Sequence, residues 1–287
     1  MLSCWTLDAD IVIYKTCVRS FARTFQRFLR PIDTCIFRAR TRRKLLEFDM
    51  ASSECCENPP VLNASSGDGS VVESIGGLKA YVAGSPDSKA AILLVSDVFG
   101  YEAPNLRKLA DKTAAAGFYV VVPDFFHEDP YVPDNIPLKT WLGNHGTNKG
   151  FEEAKPVVEA VKSKGFSAIG AAGFCWGAKV VAELAKSGAI KAGVMLHPSF
   201  VTVDDIKAIK AHLAILGAEI DKTSPPELVK QFEEILSTNS EVDSFVKIFP
   251  GVAHGWTVRY DVKDEAAASK AAEAHKDMIG WFVKHLK

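Results

Sequence analysis

From residue 78 onward the apolar positions switch repeatedly between two periods. Residues 78–82 (Leu-Lys-Ala-Tyr-Val) alternate as an outer strand does, and residues 90–95 form an unbroken apolar run, the mark of a strand buried on both faces. Residues 105–116 carry a helical repeat that stops at Gly117, and a second buried run at 119–122 ends on Pro123. The same spacing predicts helices over 151–164, 178–186, 225–236 and 265–286, and strands over 168–172, 192–196, 213–216 and 245–249. In the last helix Ala267, Ala271, Ala274, Met278 and Trp281 share one face. Strands alternating with helices, with no internal repeat, predict an α/β fold: a mostly parallel central sheet flanked by helices on both faces. Such sheets bind ligands at the C-terminal ends of their strands, so the polar residues there carry the function. Residues 127–150, rich in Pro, Asn and Gly, are too long for a plain connection and suit a lid.

Composition narrows the classes. Hydrophobic residues make up 47% and charged residues 24%, enough apolar matter for a real core, and no apolar run approaches the roughly 20 residues of a membrane span. The net charge of −1 hides an asymmetry: residues 1–49 hold ten Lys/Arg, eight of them Arg, against five Asp/Glu. The rest is mildly acidic, which excludes nucleic acid as the main partner. Five of six cysteines precede residue 60 and Cys175 stands alone in the body, so a reducing, cytoplasmic setting is expected rather than a disulfide scaffold. No Cys/His spacing resembles a structural zinc site. Residues 1–69 read as an extension and 70–287 as the domain. The Arg-rich, Phe-containing start allows an organelle transit peptide, although Asp8 and Asp10 sit where acids are scarce; Met50-Ala51-Ser52-Ser53 reads as an alternative start.

The chemistry gathers at three strand ends. Gly173-Phe174-Cys175-Trp176-Gly177 lies between a buried strand and a helix; the glycines let strand and helix crowd a sharp turn whose tip is Cys175. A thiol at a helix N-terminus is biased toward thiolate, although a free cysteine at a tight turn is also a common core residue. A nucleophile at such a turn is followed in chain order by an acid and a histidine, and Asp221 and His254 stand in that order just past two strand ends. Glu219 is a rival orienter, and an N-cap before Pro225 is the structural reading of Asp221. His197, after the strand at 192–196, reads equally as pocket lining or as a structural histidine. The oxyanion donors are expected to be the backbone N–H groups of Trp176 and Val98, the latter in the turn Ser96-Asp97-Val98-Phe99-Gly100. Asp97 either holds Cys175 or a substrate, or braces that turn.

Taken together, the Ser96–Gly100 turn, the Gly173–Gly177 elbow, Asp221 and the Pro250–Trp256 segment resemble the dienelactone hydrolase family of the α/β-hydrolase superfamily over about residues 72–286. The opening from Met50 to Pro60 resembles plant-type members. The resemblance implies a Cys175-Asp221-His254 triad and an acidic residue at Asp97 that interacts with the resting nucleophile, one methylene shorter than the Glu of bacterial enzymes. Trp256, two residues after His254, is a further candidate for substrate binding. Bacterial members clamp a substrate carboxylate with two arginines; Arg259 matches one, and no arginine between Arg107 and Arg259 matches the other. The expected activity is hydrolysis of a small ester, lactone or thioester through an acyl-cysteine, with no metal or cofactor, by a monomer or homodimer. The alternatives are a glucanase, the label some plant relatives carry, and a small-molecule-binding protein that keeps the fold without catalysis.

Overall fold

Strands that are apolar on both sides need cover on both faces, and the chain supplies it from two sets of helices. The computed structural model describes residues 53–287, so the expectations about residues 1–49 and the Met50 start lie outside the described residues. The strands are β1 (Ser70–Ile75), β2 (Leu78–Ala83), β3 (Ala90–Val95), β4 (Tyr119–Pro123), β5 (Ala168–Phe174), β6 (Ala192–Leu196), β7 (His212–Ile220) and β8 (Ser244–Ala253). They form one sheet in the order β1-β2-β4-β3-β5-β6-β7-β8. Pairing is parallel from β4 through β8 and antiparallel where β2 meets β1 and β4, so the expected mostly parallel sheet is present with an antiparallel edge.

The helices are α1 (Pro104–Ala115), α2 (Leu138–Asn144), α3 (Thr147–Ser163), α4 (Trp176–Ser187), α5 (Val203–Lys207), α6 (Pro226–Ser237) and α7 (Glu265–Leu286). On β3, Ala91, Leu93 and Val95 face the layer made by α3, α4, α5 and α6, whereas Ala90, Ile92 and Leu94 face α1 and α7. That two-sided burial is why residues 90–95 read as an unbroken apolar run. β3 pairs with β5 from Ala90↔Ala168 to Val95↔Gly173, and β4 lies on its other side. The C-terminal ends of β3 and β5 therefore flank the point where strand order reverses, where α/β sheets open a crevice.

Three features differ from the sequence expectation. Residues 53–69, set aside with the extension, join the domain: Ser53–Cys56 is a 3-10 helix with Glu54 and Cys55 buried. Arg107 anchors the following stretch, its guanidinium donating to the Ala64 carbonyl at 2.6 Å. Residues 127–150 are not an open lid, because α2 lies within them and Trp141 is buried against Phe126 and Tyr131. The loop is a wall behind the elbow. Finally, β7 and β8 run past their apolar runs to pair Ile220 with Ala253, which carries Asp221 and His254 to neighbouring strand ends.

Candidate active site

Cys175 occupies the single residue between β5 and α4, with φ 51° and ψ −110°, outside the regions an L-residue favours. The flanking glycines make the turn sterically feasible. A Cβ on Gly173 would lie 2.3 Å from the Gly177 carbonyl oxygen, and one on Gly177 2.2 Å from that of Val95. The adjoining loop after β6 is strained too, with positive φ at His197 and Phe200. It places Ser199, whose N–H donates to the Cys175 carbonyl at 3.0 Å and whose Oγ lies 3.3 Å from Cys175 Sγ. Cys175 is fully buried, and burial, reinforced by Cys55, pushes its thiol well above the usual range.

His254 faces this thiol from the turn after β8. Its Nδ1 is 2.8 Å from Asp221 Oδ2, and its Nε2 has no hydrogen-bond partner. Asp221 Oδ1 accepts the N–H groups of Thr223 and Ser224 at 2.8 and 2.9 Å, so the carboxylate is fixed by the backbone of its own turn. Burial alone would favour the neutral imidazole; the Cys175 thiolate and Asp221 outweigh it and raise His254 to about 9, so the imidazole holds the proton once the sulfur has given it up. Glu219, the rival orienter, points elsewhere: it is exposed and accepts the Gly251 N–H at 2.7 Å. His197 is the structural histidine of the two readings. It is fully buried under His254 with ring centroids 5.1 Å apart, its Nε2 lies 2.7 Å from Thr257 Oγ1, and burial lowers it well below 6.5.

The Asp97 carboxylate goes to Arg259 and to its own turn rather than to Cys175. Arg259 Nε donates to Oδ2 at 2.7 Å and the Phe99 N–H to Oδ1 at 3.0 Å. Arg259 in turn donates from Nη1 to the carbonyls of Glu54 and Glu57 at 3.1 and 3.2 Å and stacks on Phe99. It is buried and clasps the N-terminal segment through Nη1, while its Nη2 has no hydrogen-bond partner. Outside helices and strands, neither the Val98 nor the Trp176 N–H has a backbone partner among the described residues, as oxyanion donors require. The Trp176 ring is wedged against Phe125 and Phe126, with Nε1 donating to the His145 carbonyl at 2.9 Å. Trp256 packs on His197 and Phe249. It also lines a surface cavity of about 1000 Å³ shared with His254, Arg259, Tyr260 and Pro59, which reaches His254 while Cys175 stays buried outside its lining.

Sequence reading missed the cover of the nucleophile. Cys55 Sγ sits 3.5 Å from Ser199 Oγ and 3.9 Å from Thr223 Oγ1, and Glu54 accepts the Lys222 N–H at 2.6 Å. Cys55, Cys175 and His254 offer donor atoms within 4.8 Å of one another, the set among the described residues able to hold a metal ion. Cys55 lies 120 residues before Cys175. The only signal for it in the sequence is the buried-type residue pair Cys55-Cys56 beside the domain.

A buried thiol on a strand–helix elbow, facing an imidazole whose far nitrogen is held by a carboxylate, defines a cysteine-nucleophile hydrolase of the α/β-hydrolase architecture. Residues 78–286 match the model of the dienelactone hydrolase family, and the chain belongs to that family. Among curated relatives, a protein from Zea mays named endo-1,3;1,4-beta-D-glucanase is 44% identical over 67% of this chain, a match that spans only 64% of the maize protein. A carboxymethylenebutenolidase homolog from Xenopus tropicalis is 34% identical over 73% of this chain and 88% of its own. Two solved structures share the fold. A dienelactone hydrolase-like promiscuous phosphotriesterase from metagenomic libraries superimposes with TM-score 0.60 at 18% identity, covering 75% of this chain and 96% of its own. A dienelactone hydrolase from Anabaena variabilis gives 0.58 at 13%, covering 76% and 97%.

Proposed function

We propose that the protein hydrolyses a small, uncharged ester, lactone or thioester through an acyl-cysteine formed on Cys175. The observation that carries this reading is the Cys175–His254–Asp221 arrangement on a strained elbow, with Nδ1 of His254 fixed at 2.8 Å and Nε2 left free. As Cys175 Sγ attacks the carbonyl carbon, its proton passes to His254 and the oxyanion develops against the Val98 and Trp176 N–H groups. His254 returns the proton to the leaving oxygen or sulfur, then takes one from water as that water cleaves the acyl thioester. An uncharged acyl group is favoured because both arginines beyond residue 49 are buried and hold protein acceptors through Nε and Nη1, although Nη2 of each has no hydrogen-bond partner. Arg259 is bound to Asp97, Glu54 and Glu57, and Arg107 to the carbonyls of Tyr101 and Ala64.

The maize relative's name supports a second reading, cleavage of a glucan. Glycosidic cleavage needs a carboxylic acid free to protonate the leaving oxygen. Asp97 and Asp221, beside the elbow, are already bound to Arg259 and His254. The plant-type assignment rests on that relative and on the Met50-to-Pro60 opening, and a reducing, cytoplasmic setting on the free thiols Cys55, Cys56 and Cys175. The test is a panel of p-nitrophenyl esters, lactones, thioesters and mixed-linkage glucan, run on wild type and Cys175→Ala. Ester turnover that Cys175→Ala lowers at least about 10³-fold supports the proposal. Esterase activity that survives the substitution, or reducing-sugar release without esterase activity, overturns it.

A further inference from the structure

Hydrolysis assigns work to Cys175 and His254 and none to Cys55, although the three meet. Their sulfur and ring-nitrogen donors lie within 4.8 Å of one another, all in buried side chains. Asp221 occupies Nδ1 of His254, so the buried, unpartnered Nε2 is the nitrogen left for the sulfurs. We propose that Cys55, Cys175 and His254 form a binding site for a thiophilic divalent cation, Zn²⁺ in the first place, and that its occupation silences the hydrolase. The binding stands on geometry alone; the silencing rests on the hydrolytic reading above.

Three points no more than 4.8 Å apart always have a common centre within roughly 2.8 Å of each (4.8 divided by √3). Zinc bonds run to about 2.3 Å for sulfur and 2.0–2.1 Å for imidazole, so each donor closes by roughly 0.5 to 0.8 Å, a side-chain adjustment. The chemistry around the donors suits the ion. Asp221 behind His254 completes a carboxylate–histidine–metal relay, and Ser199 Oγ, 3.3 and 3.5 Å from the two sulfurs, can donate to a bound thiolate. Charge balances too: each thiol releases one proton, and two thiolates neutralise the dication, so no net charge enters a buried site. Three protein ligands leave the fourth tetrahedral position to water. A disulfide between the same sulfurs would leave Nε2 without a partner, whereas the cation satisfies all three groups.

The experiment uses the full chain, reduced and freed of metal. Zn²⁺ is titrated against a chromophoric chelator, and Co²⁺ serves as a spectroscopic probe because each thiolate ligand adds to its near-ultraviolet charge-transfer band. Ester hydrolysis is followed in parallel, normalised to each protein's metal-free rate. The expected result is one Zn²⁺ per chain, a two-thiolate cobalt band, and loss of activity that tracks occupancy and reverses with chelator. Cys55→Ser should halve the band and weaken Zn²⁺ by more than the 10–100-fold typical of losing an outer-shell partner. A wild-type band of one thiolate, no stoichiometric binding, or equal affinity in Cys55→Ser overturns the site. The wild-type spectrum decides even where a variant misfolds. If binding is as expected but the metal-free protein turns over no ester, the hydrolytic reading has failed and the metal site has not.

Discussion

Asp221→Asn separates the orienting carboxylate from every other feature of the site. The asparagine carbonyl can replace Oδ1 as acceptor for the Thr223 and Ser224 N–H groups at 2.8 and 2.9 Å, so the turn survives. What changes is the face toward His254, where Oδ2 now accepts at 2.8 Å. An amide NH₂ there forces Nδ1 to be the acceptor and puts the ring proton on Nε2, the nitrogen meant to receive the thiol proton. Against the cost of burial, the Cys175 sulfur and the Asp221 carboxylate together raise His254 to about 9, so the carboxylate also steadies the imidazolium. Losing a charge-assisted hydrogen bond, which costs about 1.5 kcal/mol or more, and the tautomer change, which costs about 10⁴ in a serine enzyme, bracket the effect. We expect kcat/KM on p-nitrophenyl acetate to fall by about 10 to 10⁴, mostly in kcat, with the melting temperature little changed. Glu219→Gln, whose carboxylate meets only the exposed Gly251 N–H, is the control and should stay within about threefold of wild type. Equal losses in the two variants, or none in Asp221→Asn, would refute the assignment of the orienter.

Gly177→Ala should be destabilised by at least about 3 kcal/mol in urea denaturation or fail to accumulate, since its methyl would sit 2.2 Å from the Val95 oxygen; a wild-type unfolding midpoint would show the elbow is looser than described. His275, whose Nε2 lies 2.7 Å from the Thr257 carbonyl, is lowered by burial to about 4. Below pH 6.5 the unfolded chain takes up a proton that the folded chain refuses until about pH 4, so stability is full above 6.5 and falls by about 3 kcal/mol across that window. His275→Gln should flatten the pH dependence of the urea midpoint there, and an unchanged slope would count against the assignment. Arg259→Met removes the clasp on Asp97 and on the Glu54 and Glu57 carbonyls. Amides of residues 53–60 should then exchange hydrogen at least about tenfold faster in mass-spectrometric exchange, and unchanged protection would mean the segment is held by Cys55 and Glu54 alone.

Much of the fold was legible because its signals are local. Residues 90–95 and 192–196 coincide with β3 and β6, since strands covered on both faces cannot tolerate a polar residue anywhere in the run. The elbow was equally visible: a glycine on either side of Cys175 is demanded by contacts between residues a few positions apart. β1 escaped because it is an edge strand with one buried residue among six, which leaves no period to read. α2 escaped because its buried residues, Trp141 and Leu142, are adjacent rather than spaced by a turn.

The partners of the site residues were less legible than the residues themselves, for a physical reason. Asp97, Arg259, His197 and Cys55 are all common residue types at strand ends or loops, and what each does depends on which groups a distant segment brings to it. Arg259 matches the position of a substrate clamp, but the Glu54 and Glu57 carbonyls arrive from more than 200 residues away and occupy its Nη1. Once they do, Asp97 becomes the counter-charge of a buried arginine, and the hydroxyl of Ser199 takes the place beside Cys175. One segment, residues 53–60, thus turns a displayed arginine into a buried clasp and a lone nucleophile into a paired one. The metal site proposed above and the burial of Arg259 therefore both depend on a stretch that the sequence groups with the extension.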